Sequence, residues 1–194
     1  MPTVKLYGIE VADVRYLFPD WPGTPEQRNS LSYIHTPDQV DGVSVHHDGE
    51  VMPPGDMDYN GSTLDEDMER LQAIYNWNYP RLGGFPYQLV PSPHGRLFLC
   101  RNLETWGAHT GGENDHLQGM GLMGNYLNSE PPAVQLCAGS LGLIIFWRWR
   151  GQLLKAMGHR DWPNQWTECP GTMRSVWIDK MLRFAAFNAP RFPA

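Results

Sequence analysis

The stretch that most narrows what this chain can fold into is Ala133–Arg150, whose centre, Leu141 to Trp147, is the most apolar run in the sequence. Pro131-Pro132 open it as a helix, because proline's missing N–H falls among donors that a first helical turn leaves unpaired anyway. The run is too short to cross a bilayer, and Arg148 and Arg150 follow it. It is therefore a core helix, and it needs other elements around it.

Those elements can be read as short apolar segments and two further helices. Val40 to Val45 reads as a buried strand with His46-His47 at its C-terminal end. Tyr87 to Val90 and Arg96 to Cys100 read as two strands joined by a turn at Pro91 to Gly95. Gly119 to Met123 and Ala156 to Gly158 are short, apolar and bounded by glycine, and Lys5 to Ile9 has strand character. Thr63 with Glu66 forms a capping box, and the helix it starts runs to Tyr79, before Pro80, with Leu64, Met68, Leu71 and Tyr75 on one face. Met173 to Phe187 reads as a closing helix with Met173, Val176, Trp177, Met181 and Phe184 on one face. Phe18 to Pro25 and Val51 to Ser62 are loops, and Asn60-Gly61-Ser62 is a turn. Strands and helices alternate, so the class is α/β: a single domain with a central mixed sheet flanked by helices. Residues 1–39 are expected as an N-terminal extension packed on a domain spanning 40–194.

At 194 residues one core is sufficient. The 41% apolar and 19% charged content is that of an ordinary globular protein, and a net charge of −6 argues against a nucleic-acid partner, since no basic face is available to displace phosphate counterions. The N-terminus lacks a charged head followed by an apolar stretch, so no signal peptide is expected. Neither membrane insertion nor oligomerisation is expected. Of the three cysteines, Cys100 and Cys137 have no spacing that suggests pairing and read as buried reduced thiols.

Cys169 is different. It follows Thr167-Glu168 and precedes Pro170-Gly171 in a loop, ten residues after His159 in Gly158-His159-Arg160-Asp161. An imidazole and a thiolate are both good zinc ligands, and His46 or His47 supplies a third donor. The two alternate across a strand end, so only one of them faces a given site. Three protein ligands with one open position make a catalytic zinc; a closed structural site would need a fourth, and only His47 or His109 is at hand.

The ordered set His46-His47 after a strand, Gly84-Phe85-Pro86-Tyr87, Gly107-Ala108-His109-Thr110, Gly158-His159-Arg160-Asp161 and Thr167-Glu168-Cys169-Pro170-Gly171 resembles the zinc-dependent N-acetylmuramoyl-L-alanine amidases of the type 2 amidase and peptidoglycan-recognition-protein superfamily, which includes phage lysins. The resemblance covers about residues 40 to 187. It implies a mixed sheet flanked by helices, with Zn2+ in a surface cleft held by His46, His159 and Cys169. It also implies catalytic roles for Tyr87 and Thr167, and peptidoglycan as partner. His109, Trp106 and His47 are then expected to line the substrate cleft, and Asp161 to tie down the loop by backbone hydrogen bonds. In one respect the sequence departs from the family: some branches carry a glutamate where Gly121 stands, which favours a mechanism relying on Tyr87 and Thr167.

The activity so implied is hydrolysis of the amide between the lactyl group of N-acetylmuramic acid and L-alanine. The alternative is a non-catalytic peptidoglycan-binding protein using the same cleft. Absence of a signal peptide fits a phage lysin held in the host cytoplasm until a holin releases it to the wall; otherwise the protein is cytoplasmic or exported by an unconventional route.

Overall fold

The computed structural model describes residues 1–19, 35–49 and 63–193. The expected loop at 51–62, the Asn60-Gly61-Ser62 turn and most of the Phe18–Pro25 loop lie outside the described residues. Seven strands form one sheet: β1 Thr3–Leu6, β2 Ile9–Asp13, β3 Gly42–His47, β4 Leu89–Pro91, β5 Leu97–Leu99, β6 Leu117–Leu122 and β7 Lys155–Gly158. Their order is β1-β2-β5-β4-β6-β3-β7. The β4–β6–β3–β7 half is parallel, whereas β1–β2 and β4–β5 are antiparallel, so the sheet is mixed as expected. Three helices flank it: α1 Leu64–Leu82, α2 Ala133–Arg150 and α3 Arg174–Asn188. Among the described residues no helix is long and apolar enough to cross a membrane.

The sheet separates two cores. On one face α2 and α3 pack Leu143, Ile144, Phe146, Trp177, Ile178 and Met181 against Val43, Val45, Leu89, Met120 and Leu122. Each such side chain, fully removed from water, contributes roughly 1.5–3 kcal/mol. On the other face α1 packs Leu71 and Ile74 against Val90, Phe98, Phe85 and Met123. Because successive residues of a strand face opposite ways, Val43 and Val45 serve the first core. Ser44 and His46 are left on the second face, beside the smaller cluster.

The structure amends several local expectations. Lys5 to Ile9 is not one strand: Tyr7 (φ 52°) and Gly8 (φ 82°) take the left-handed conformation of a two-residue hairpin turn, and β1 and β2 form the sheet edge on either side. Helix α1 has the capping box, with Glu66 N–H donating to Thr63 Oγ1 at 3.1 Å, but it passes through Pro80 and stops at Gly83. Pro80 lies in the last turn, and the terminating signal is Gly83, whose positive φ lets its N–H reach Tyr79 O. The buried face of α1 is Asp67, Arg70, Leu71 and Ile74, and Leu64 is exposed. In α3 the buried stripe is Trp177, Ile178, Met181 and Ala185, leaving Val176 and Phe184 exposed. All three cysteines are free, with Cys100 buried but Cys137 exposed on α2.

Arg70 is on the buried face of α1 because it ties the helix to the end of β3. Its guanidinium donates to both oxygens of Asp48, at 2.5 and 2.6 Å, and to Gly49 O at 3.2 Å. Asp48 also accepts from Gly124 N–H at 2.9 Å. Burial pushes the Asp48 carboxyl up, and the guanidinium and this N–H pull it back down. Removing one partner from such a pair strands the other charge in the interior. Arg70→Met is expected to cost about 3–5 kcal/mol in urea unfolding, with part of that loss recovered in Asp48→Asn/Arg70→Met. A single-variant loss indistinguishable from zero would show that the pair does not anchor α1.

Candidate metal centre

Strand register brings the first two candidate ligands together. β3 pairs in parallel with β7 through Val45 and Gly158, so the next residue on each, His46 and His159, come side by side, with ring centroids 4.4 Å apart. Cys169 arrives on the far arm of the loop that His159 begins. Arg160 N–H donates to Cys169 O at 3.0 Å, closing the two arms together. Asp161 holds the loop by an ion pair with Arg174 at the start of α3, at 2.7 Å, where backbone hydrogen bonds had been expected. The result is a cluster in which one donor atom each from His46, His159 and Cys169 all lie within 4.8 Å of one another.

The donor chemistry fits a zinc ion. His46 Nδ1 is 3.8 Å from Cys169 Sγ. Zinc–nitrogen and zinc–sulfur bonds of about 2.0–2.1 and 2.3 Å, set tetrahedrally, separate such atoms by roughly 3.6 Å. His159 Nε2 is 3.0 Å from Gln165 Oε1, which can only accept, so Nε2 carries the hydrogen and Nδ1 keeps its lone pair. Burial, and then the neighbouring imidazoles, hold His46 well below the ordinary histidine value, and burial lowers His159. Both rings are therefore neutral at pH 7 and able to coordinate. Burial pushes the Cys169 thiol up to about 12, so a cation must displace its proton to bind the sulfur.

Around this cluster β6 forms a bare ledge. Ser44 and His46 are paired with Gly119 and Gly121 in register. A Cβ on Gly119 would lie 2.6 Å from the His109 ring, and one on Gly121 would lie 2.3 Å from the Tyr87 ring. The two glycines thus make room for His109 and Tyr87 to lie across the strand, with ring centroids 5.3 and 5.0 Å from that of His46. This accounts for Gly121: the volume a glutamate would need there is filled by Tyr87. Burial, and then Cys169, raise the Tyr87 phenol well above its ordinary value, so it remains a hydrogen-bond donor.

The other expected residues are more dispersed. Thr167 is half-buried, and its Oγ1 accepts Cys169 N–H at 3.1 Å. His47 points to the opposite face, where its Nδ1 accepts Tyr126 N–H at 2.8 Å; burial brings it down to about 4. His109 is brought down to about 3, first by burial and then by His159. Trp106 is half-buried and donates to Asp115 at 3.0 Å. Sequence reading overlooked Ser44, Thr110 and Gln165, which bond to the rings of the cluster, and Trp166, a residue 99% exposed just before Thr167. Strand alternation alone places Ser44 on the face of His46, so that signal was available; nothing local marks Gln165.

No protein-family model and no curated protein matches the sequence. Solved structures do match. Bumblebee peptidoglycan recognition protein PGRP-SA superposes with a TM-score of 0.68 at 20% identity, over 89% of this chain and 95% of that one. Drosophila peptidoglycan recognition protein SD gives 0.70 at 17% identity, over 88% and 94%. The N-acetylmuramoyl-L-alanine amidase LysC of Clostridium intestinale gives 0.62 at 15% identity, over 88% and 93%. The chain shares the fold of these peptidoglycan recognition proteins and of LysC.

Two outcomes are expected from this geometry. Gly121→Ala drives a methyl into the Tyr87 ring, and about 1–3 kcal/mol of stability should be lost in urea unfolding. In a Tyr87→Ala background the same substitution should be nearly neutral; equal costs in both backgrounds would show that the ring is not what fills the space. The second concerns acid. The folded values of His47 and His109, about 4 and about 3, lie below the ordinary 6.5, so the unfolded chain binds more protons. Stability is thus complete above pH of about 6.5 and lost as pH falls toward 4 and 3, at up to roughly 1.4 kcal/mol per pH unit for each ring. Thermal melts of metal-free protein should show this decline. His47→Asn, which keeps an acceptor for Tyr126 N–H, should flatten it.

Proposed function

We infer that this protein is a zinc-dependent N-acetylmuramoyl-L-alanine amidase, which cuts the amide between the muramic acid lactyl group and L-alanine in peptidoglycan. The observation that carries the reading is the convergence of His46, His159 and Cys169, within 4.8 Å, in a fold that includes an amidase among its solved members. Two neutral imidazoles and one thiolate leave a bound zinc cationic. When bound, such an ion supplies an acidified water and polarises an amide carbonyl.

The chain's own groups do the rest. Tyr87 keeps its phenolic hydrogen at neutral pH and donates it toward the carbonyl oxygen as negative charge develops there. Thr167 shapes the loop that presents Cys169, by accepting the Cys169 N–H. His109, with a value of about 3, is neutral at pH 7, so it is no reservoir of protons for the departing amine. Its ring walls the site beside His46 and contacts the substrate there.

The second reading is a peptidoglycan-recognition protein without activity. What favours it is Gly121: Tyr87 occupies the space of a carboxylate base, so any acid–base work falls to hydroxyls. Purified peptidoglycan separates the two. An amidase releases free amino groups without new reducing ends. Activity should vanish with chelator, drop by about 10²-fold or more in Cys169→Ala, and drop roughly 10²–10³-fold in Tyr87→Phe, as when an oxyanion donor is removed. Sacculus binding by zinc-loaded protein with no amine release would establish the recognition reading instead.

A further inference from the structure

An imidazole can hold a metal through one nitrogen only if its hydrogen stays on the other. In His46, Nδ1 faces Cys169 Sγ, while Nε2 is 3.0 Å from Ser44 Oγ and 3.3 Å from Thr110 Oγ1. Ser44 and Thr110 are both fully buried. The Ser44 and Thr110 hydroxyl oxygens are 2.8 Å apart, and Thr110 Oγ1 is 2.9 Å from His109 Nδ1. Each hydroxyl has one hydrogen to place. With Ser44 O–H directed to Thr110 Oγ1 and Thr110 O–H to His109 Nδ1, both hydrogens have acceptors and Ser44 Oγ keeps a lone pair for His46 Nε2–H.

The loop that delivers Thr110 is fixed from behind. Asn114 Oδ1 accepts the backbone N–H of both His109 and Thr110, at 3.0 and 2.7 Å. Nothing in the sheet ladder calls for these hydroxyls. On the other face of β3 the equivalent places are valines, and burying a hydroxyl that lacks a partner costs about 1–3 kcal/mol. Among the described residues the hydrogen-bond partners of these two hydroxyls are each other and the His46 and His109 rings.

The geometry points to Ser44 and Thr110 as positioning residues that keep the hydrogen of His46 on Nε2 and so present its Nδ1 lone pair to a metal shared with His159 and Cys169. This rests on the metal reading above. The reverse order, with Ser44 donating to Nε2, would place the hydrogen on Nδ1 against the thiol and leave no lone pair for the cation. The hydroxyls thus set both the aim and the tautomer of the most deeply buried ligand.

The test has two readouts. Zinc affinity is measured by competition with a chromophoric chelator for wild type, Ser44→Ala, Thr110→Val, the double variant and Thr110→Ser, with urea unfolding confirming that each folds. The His46 tautomer is read by nitrogen–proton correlation NMR on zinc-free protein. Expected are an Nε2 hydrogen in wild type and mixed tautomers in the double variant. Affinity should fall roughly 10- to 100-fold in the double variant and stay within about threefold in Thr110→Ser, where the hydroxyl is retained. Should Thr110→Val fail to fold, Ser44→Ala carries the comparison. Unchanged tautomer and affinity in the hydroxyl-free variants, or a wild-type hydrogen on Nδ1, would overturn the inference. Wild type that takes up no zinc would sink the metal reading, and the tautomer spectrum would still decide the role of the two hydroxyls.

Discussion

The site depends first on the register of one strand. β3 lies between β6 and β7, parallel to both, and pairs Val45 with Gly158 and His46 with Gly121. The first pairing sets two histidines side by side although they are far apart in the chain. The second leaves open space next to His46, into which Tyr87 fits, as His109 fits over Gly119 one pairing earlier on that face. A slip of one residue would turn His46 into the α2–α3 core and bring His47 to the site face. What prevents it is the burial of Val43 and Val45 on one face and the Asp48–Arg70 pair just past the strand end.

The site face of the sheet is more polar than a core face has to be. Ser44, His46, Gln88 and Thr110 are all buried beside or above it. Each is committed to a hydrogen bond: Gln88 donates to Thr105 O and accepts from Gly119 N–H, holding both the loop before His109 and the strand beneath it. Buried polar groups satisfied in this way cost little and fix one arrangement, whereas an unsatisfied one would favour rearrangement. Among the described residues, His109 Nε2 is buried beside the cluster with no hydrogen bond of good geometry.

Much of the fold was legible because hydrophobic periodicity and turn residues report on it directly. The Thr63 capping box, the Pro131-Pro132 helix start and the strands around residues 43, 98 and 120 all appear where the pattern places them. Misreadings came where tertiary contacts overrode local signals. Pro80 did not end α1, because its position in the last turn is tolerated and Gly83 terminates the helix. The α1 stripe moved because Arg70, polar in any scale, is buried against Asp48, and Cys137 proved exposed because the faces of α2 cannot be ranked without knowing what covers them.

By itself the sequence determined the α/β class, the order of elements and which side chains have the chemistry to hold a cation: His159, Cys169 and one of His46 and His47 are recognisable from residue type and context, and the family resemblance selects His46. It also registered Gly121 as a departure, without its reason. Tertiary structure alone decided that these three meet, that His47 turns away to accept Tyr126 N–H, and that Tyr87 fills the space above Gly121. It alone placed Ser44 and Thr110 behind His46. The division has a physical cause. Periodicity and capping act over a few residues and are written locally. Register, burial and the partner of each ring nitrogen depend on segments as distant as residues 46 and 169, which only the packed sheet brings within bonding distance.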